Sequence, residues 1–295
     1  MPALPNLLAT PQPLPAPSPW REATRMFLRN PSAIVGLVLL AIVLAVAIAG
    51  PWLWPADPFE IRAAPLLPPG TAQAWLGTDQ LGRDVGIALV HGGRATLLVG
   101  AIAALLSVGI GVGIGAMAGF HGGRVDAALM RVTEFFQVLP ALLFAMVVVT
   151  LFSPTLVTVT LAIGVVSWTG TARLTRAEFM KYRGLEFVRA ERAIGAGDAR
   201  LIWRVILPNA AAPLVVSGTL AVGAAILFEA GLSFLGLGDP NRMSWGMMVG
   251  SGRQYVLAAW WAVAVPGAAI FVTVLAVSLI GDGLNDALNP QLRER

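Results

Sequence analysis

The 295-residue chain contains no cysteine, so it holds neither a disulfide framework nor a thiolate metal site. Lys181 is its only lysine and no glycine-rich loop precedes it. That excludes the phosphate-cradling loop Gly-x4-Gly-Lys-Ser/Thr, and any ATP hydrolysis that depends on it must occur on another chain. His91 and His121 are the only histidines, each followed by a glycine pair at the end of an apolar run, which gives no ligand cluster for zinc. Ser233 stands in Gly-Leu-Ser-Phe-Leu rather than a Gly-x-Ser-x-Gly elbow, and Asp282 and Asp286 lack the setting of a catalytic pair. These absences argue against an intramembrane protease, and no catalytic or metal-binding residue is assigned. Charged residues make up 12% of the chain, against roughly 25% in ordinary soluble domains.

What replaces the missing charge is apolar mass: 57% hydrophobic residues and a mean hydropathy of +0.76. The net charge of +4 resides almost wholly in arginines scattered between apolar runs. This is the pattern of membrane flanks, not of a nucleic-acid surface. A span needs about 20 mostly apolar residues to cross about 30 Å of hydrocarbon. Six runs qualify: 32–54, 95–120, 135–152, 155–172, 210–235 and 260–284. The expected fold is an all-α membrane protein of six transmembrane helices. Before them, prolines at 2, 5, 11, 13, 15, 17 and 19 predict a disordered tail without the basic start or cleavage site of a signal peptide. The expected organisation is a tail and flank over 1–31, a first helix and outer loop over 32–94, and a five-helix core over 95–295.

Lysines and arginines favour the cytoplasmic side of a membrane. With the N-terminus inside, fifteen fall on inner segments and five, Arg62, Arg83, Arg94, Arg242 and Arg253, on outer ones. Both termini are therefore expected in the cytoplasm. The largest inner loop, 173–209, holds eight basic residues and the stretch RAERAIGAGDARLIWRVILPN. Phe187, Ala190, Ala193 and Ile194 recur there at helical spacing beside Arg189, Glu191 and Arg192. Gly195 and Gly197 break this helix, Asp198 is placed to cap a second one, and Leu201, Ile202, Val205 and Ile206 form its apolar stripe until Pro208. Two helices and a glycine corner make a compact knob, either docked on a partner or resting on lipid headgroups. Arg183 is read as an ordinary surface residue of this loop.

Four further features stand out. In LGTDQLGRDV, Gly77, Thr78, Asp79, Gly82, Arg83 and Asp84 predict turns and a helix cap rather than a carboxylate metal site. The run GIGVGIGAMAG puts Gly111, Gly115 and Gly119 four apart on one face of an apolar span, which favours close helix packing over a dinucleotide loop. Glu229 lies inside the fifth run, where an ionisable group marks either a pore or gate position or a hydrogen-bonded structural one. Asp282 and Asp286, four apart at the inner end of the last run, are placed to pair with loop arginines.

The knob also carries a resemblance. Gly195, nine residues, Val205, one residue, then Leu207-Pro208 is similar to the cytoplasmic loop signature of permease subunits of ATP-binding-cassette importers. That pattern opens with Glu-Ala-Ala where this chain has Arg189-Ala190-Glu191, and has isoleucine where Val205 stands. FLRNPSAIVGLVLLAI, LGTDQLGRDV, LSFLGLGDP with SWGMM, and GDGLNDALNPQLR resemble, in the same order, the second (C-type) permease subunit of dipeptide and oligopeptide importers. The resemblance implies a type I importer permease of a bacterial or archaeal inner membrane, forming half of a pore with a homologous permease. It implies two ATPase subunits that hold ATP and magnesium and receive loop 173–209, and an extracytoplasmic binding protein that docks near LGTDQLGRDV. Peptides are the implied cargo, with nickel chelates, glutathione and opine-like compounds carried by close relatives. This chain itself would bind no cofactor and no nucleic acid. A secondary transporter or channel would instead show inverted repeats with midplane ion ligands, and no convincing repeat is visible.

The orientation is directly testable in this cysteine-free chain. A cysteine at Gln80 is expected to react with an impermeant thiol reagent on intact cells, and one at Ala199 only after the membrane is opened; the reverse pattern would invert the topology.

Overall fold

The structure, a computed structural model, describes residues 24–288. The proline-rich tail and the last arginines of the expected topology lie outside them. Among the described residues, α1 spans Pro31–Leu53, α2 Val85–His121, α3 Gly123–Val138, α4 Ala141–Phe152, α5 Leu156–Ser167, α6 Thr169–Tyr182 and α7 Glu186–Ala193. Then follow α8 over Asp198–Phe234, α9 over Trp245–Gly252 and α10 over Trp261–Leu288. Helices α1, α2, α8 and α10 are each long and apolar enough to cross a membrane. The pairs α3–α4 and α5–α6 are bent by 85° and 40°, giving six spans if each pair counts as one.

Local chemistry explains where the boundaries depart from expectation. The second helix begins at Val85, ten residues before the expected start, because the Asp84 carboxylate caps it by accepting from the amides of Gly86 and Ile87. Arg94 is therefore inside a helix rather than on a loop. The expected third span loses its first residues to α3, since Leu139 precedes Pro140 and is driven to extended backbone (φ −69°, ψ 129°). The second helix of the knob does not stop at Pro208; it runs on into α8. A π-turn over Leu201–Ile206 puts the proline in the first turn of the α-helical part, where its missing N–H is tolerated, and Asn209 Nδ2 donates to the Val205 carbonyl.

Helix α2 is the axis of the fold and makes its most extensive contact with α6. A β-carbon on Gly111, Gly115 or Gly119 would lie 2.6, 2.3 and 2.6 Å from atoms of Thr171, the Ala172 carbonyl and the Arg176 carbonyl. The small-residue face thus brings two backbones together where lipid supplies no hydrophobic drive for association. Helix α1 is tied to the other side of α2. Pro51 has no N–H for the Ala47 carbonyl one turn earlier, and Arg94 of α2 fills the vacancy, its Nε donating to Ala47 O at 2.8 Å and its Nη2 to Ile48 O at 2.7 Å.

Two expectations about charge are corrected. Arg183 is not a spare surface residue, because its guanidinium donates to the carbonyls of Gly119 and Phe120 and caps the C-terminus of α2. Asp286 pairs with no loop arginine among the described residues; it accepts from Asn30 Nδ2 at 3.0 Å, which ties the end of α10 to the start of α1. Arg176 finds its carboxylate elsewhere, in a bidentate contact with Asp126 at 2.5 and 2.6 Å that clips α6 to α3.

Gly115→Ala adds the β-carbon that the Ala172 carbonyl excludes, and overpacking of this kind costs about 1–3 kcal/mol. A lower thermal midpoint is expected for Gly115→Ala in detergent, whereas Gly113→Ala, with nothing within 4 Å of its added carbon, is expected to match the wild type.

Candidate functional site

The chain presents two candidate sites, one at each end of α8. At the first end, α7 and the start of α8 build the knob. Val188, 1% exposed, anchors α7 in a cluster with Phe120, Phe179, Leu201, Ile202 and Ile206. The π-turn is thus the buried root of the knob. Its outward face is the set expected from helical spacing: Ala190 and Ala193 are exposed, Phe187 is 40% exposed and Ile194 76%. The tip of a firmly rooted element thus presents exposed apolar groups.

The corner is a Schellman motif. The Ala196 amide donates to Glu191 O and the Gly195 amide to Arg192 O, with Gly195 at φ +91° where only glycine is comfortable. Gly197, not Asp198, is the N-cap of the following helix; the Asp198 side chain makes no capping bond and instead places negative charge in the first turn. Glu191 and Arg200 face each other across the corner at 3.4 Å, and Arg192 lies over the Phe120 ring at 5.6 Å. Arg189 is exposed and makes no ion pair among the described residues. Leu207 and the exposed Pro208 follow the π-turn, where α8 resumes α-helical geometry.

At the opposite end, LGTDQLGRDV is a folded loop and not an open ligand set. Thr78 is fully buried: its hydroxyl donates to Ala64 O and accepts the Leu67 amide, while its carbonyl accepts Trp261 Nε1–H. Asp79 accepts the amides of Leu81 and Arg83, Arg83 lies over the Phe59 ring at 5.0 Å, and Asp84 is the cap described above. Gly77 and Gly82 each sit at φ +82°. The signature thus holds the loop on α10 and starts α2.

Glu229 belongs to a feature absent from the sequence reading. After α8 the chain turns back beside that helix, reaches Ser244, and returns as α9 alongside α8. The β-carbon of Gly238 would meet Ser233 at 2.4 Å, that of Gly246 would meet Ala230 at 2.7 Å, and that of Gly250 would meet the Ser233 carbonyl at 2.7 Å. This is a re-entrant hairpin, which a membrane tolerates only where protein satisfies its backbone. Thr96 Oγ1 accepts the Trp245 amide, Leu89 O accepts the Trp245 indole N–H, and Ser244 Oγ accepts the Met247 amide as the N-cap of α9. Glu229, 3% exposed, completes the set: Oε1 accepts the hydroxyls of Ser233 at 2.7 Å and Ser244 at 2.8 Å. At the feet of the hairpin, Arg253 donates to the Phe234 carbonyl and covers its ring. The available signal was Ser-Trp-Gly with glycines at 246 and 250, a capped eight-residue apolar segment too short to span.

Replacing Glu229 by leucine leaves two buried hydroxyls without their acceptor, a loss of about 1–3 kcal/mol for an unsatisfied buried group. Glu229→Leu is expected to melt below the wild type and Glu229→Gln, which keeps an acceptor oxygen, close to it; equal midpoints for the two variants would remove the carboxylate from the architecture of the hairpin.

Comparison with known proteins places this arrangement. Residues 111–294 match the family described as binding-protein-dependent transport system inner membrane component, and residues 18–69 the one described as N-terminal TM domain of oligopeptide transport permease C. The di/tripeptide transport system permease protein DppC of Pseudomonas aeruginosa is 41% identical over 300 residues, covering 99% of each chain. The dipeptide transport system permease protein DppC of Escherichia coli is 42% identical over 296 residues, covering 98% of each. Among solved structures, an inward-facing conformation of the MetNI methionine ABC transporter aligns with a TM-score of 0.55 at 20% identity, covering 68% of this chain and 96% of that one. At that identity the likeness speaks for the fold alone.

Proposed function

The chain belongs to the binding-protein-dependent transport system inner membrane components, the permeases of ABC importers, and on that premise we propose that it forms half of an import path for di- and oligopeptides. Its relatives over nearly the whole chain are named as dipeptide and di/tripeptide permeases, which favours peptides over other solutes. In this reading the other half is a homologous permease, an extracytoplasmic binding protein delivers the peptide, and two ATPase subunits lie in the cytoplasm. The chain is non-catalytic and binds no cofactor; ATP and magnesium belong to the ATPases. The knob end faces the cytoplasm, as the arginine bias predicts.

The observation that carries the coupling role is the contrast within α7, rooted by Val188 and bare at Ala190, Ala193 and Ile194. An ATPase groove that takes this face receives an element bonded to α2, α6 and α8 at once through the cluster around Phe179. Closure of the ATPases on ATP then moves the knob with those three helices, turning the path outward, and hydrolysis resets it. Nucleotide shifts the equilibrium only as far as the ATPases hold the knob more tightly in one state than the other.

Since Ala193 is exposed in this chain, Ala193→Asp leaves the permease's own packing alone and buries a charge only if a partner covers it, where it is costly. Ala193→Asp and Gly195→Val, which bars the positive φ, are expected to abolish binding-protein-stimulated ATPase activity and weaken ATPase retention on immobilised permease. Arg131→Ala serves as the control, Arg183 being a helix cap. Wild-type stimulation and retention in both variants would make the knob a membrane-surface loop.

A further inference from the structure

One group of the re-entrant hairpin is left over. Glu229 Oε1 takes both serine hydroxyls, whereas the buried Oε2 has no hydrogen-bond partner among the described residues. Glu229 lines a small cavity together with Ser244, Gly238, Asp239 and Arg242. Asp239 is committed, Oδ2 accepting the Leu156 amide at the start of α5 and Oδ1 the Asn241 amide. Arg242 is exposed, and its guanidinium makes no ion pair among the described residues. Glu229 and Arg242 thus line one cavity, with no ion pair between them.

We infer that residues 235–252 are the moving outer gate of the transport path and that Glu229 is its positioning residue, bonded to Ser244 when the hairpin lies against α8 and to Arg242 when it lifts. This rests on the importer reading above. On the face turned to α8, Gly246 and Gly250 let the two backbones meet without interlocking side chains of their own. Met243, Met247 and Met248, whose thioether side chains repack readily, share the apolar cluster with the buried Trp245, whose bonds to Thr96 and Leu89 break with that of Ser244 when the tip lifts. The feet stay joined: Arg253 holds Phe234 on the exit side, and on the entry side the chain turns at Gly236, at φ +86°, with its amide donating to the Ser233 carbonyl. Lifting the tip breaks the contact of Ser244 with Glu229 and frees the carboxylate for the one cation that borders its cavity.

The test is a reversible tether in the full importer with cysteine-free partners, in proteoliposomes. Ser233 and Ser244 share one acceptor oxygen and so lie side by side; Ser233→Cys with Ser244→Cys, bridged by a short bifunctional thiol reagent, pins the tip to α8. Bridging is expected to reduce ATP-driven uptake of a labelled dipeptide to the level without ATP, and reduction to restore it, with ATPase retention unchanged. Equal uptake by the bridged and reduced proteins overturns the gate. Absence of ATP-driven uptake in the wild-type complex would instead refute the importer reading. Should the reduced double-cysteine protein itself be inactive, Glu229→Gln and Arg242→Ala decide. Each is expected to lower uptake several-fold, and the double variant no further than the worse single one. Losses that multiply, or no loss in either, would separate the two residues and overturn the pairing.

Discussion

The close approach of α2 to α6 is the constraint on which the rest of the molecule depends. Gly111, Gly115 and Gly119 let the backbone of α2 meet carbonyls and β-carbons of α6 with nothing between, and dispersion over that seam supplies what the hydrophobic effect does not supply in lipid. Once the two helices are joined, Arg183 at the end of α6 reaches the last carbonyls of α2, and Phe120 and Phe179 close over Val188 to root the knob. On its other faces α2 takes α1, α5, α8, α9 and α10. A seam lined by glycines on the α2 side thus fixes the helix around which most of the others pack.

Irregular backbone recurs wherever the chain departs from a simple bundle, and each departure is answered by a named side chain. Pro51 is answered by Arg94, the π-turn by Asn209, the tip of the hairpin by Thr96, Ser244 and Glu229, and its feet by Arg253. In hydrocarbon an open carbonyl or amide has no water to fall back on. These polar residues are few because the protein is apolar, and nearly all are committed. Among the described residues the buried Oε2 of Glu229 is one of the few such groups left without a partner.

Knob and hairpin are the two ends of one helix. Helix α8 runs 37 residues from Asp198 to Phe234, about 55 Å at 1.5 Å per residue. Its first turns are the root of the knob and its last two turns are the wall on which the hairpin lies. The helix joins the knob to the hairpin, and it passes through both a π-turn and Pro213 on the way.

Composition and spacing alone determined much of this protein. Six apolar runs, the small face of Gly111, Gly115 and Gly119, the cap at Asp84, the glycine corner at Gly195 and the family resemblance were all legible, because each depends on residues near one another in sequence. The tertiary structure decided what depends on partners far along the chain. Arg183 reads as a surface charge until the end of α2 stands beside it, and Arg94 as a loop charge until Pro51 leaves a carbonyl open opposite. Pro208 reads as a stop until a π-turn absorbs it. The hairpin was invisible because a segment of eight apolar residues is too short to mark a span, and its backbone is satisfied by Thr96, some 150 positions earlier, and by Glu229. Local patterns settle which segments are helical and apolar; which polar groups those segments leave open, and what closes them, is settled only when the helices meet.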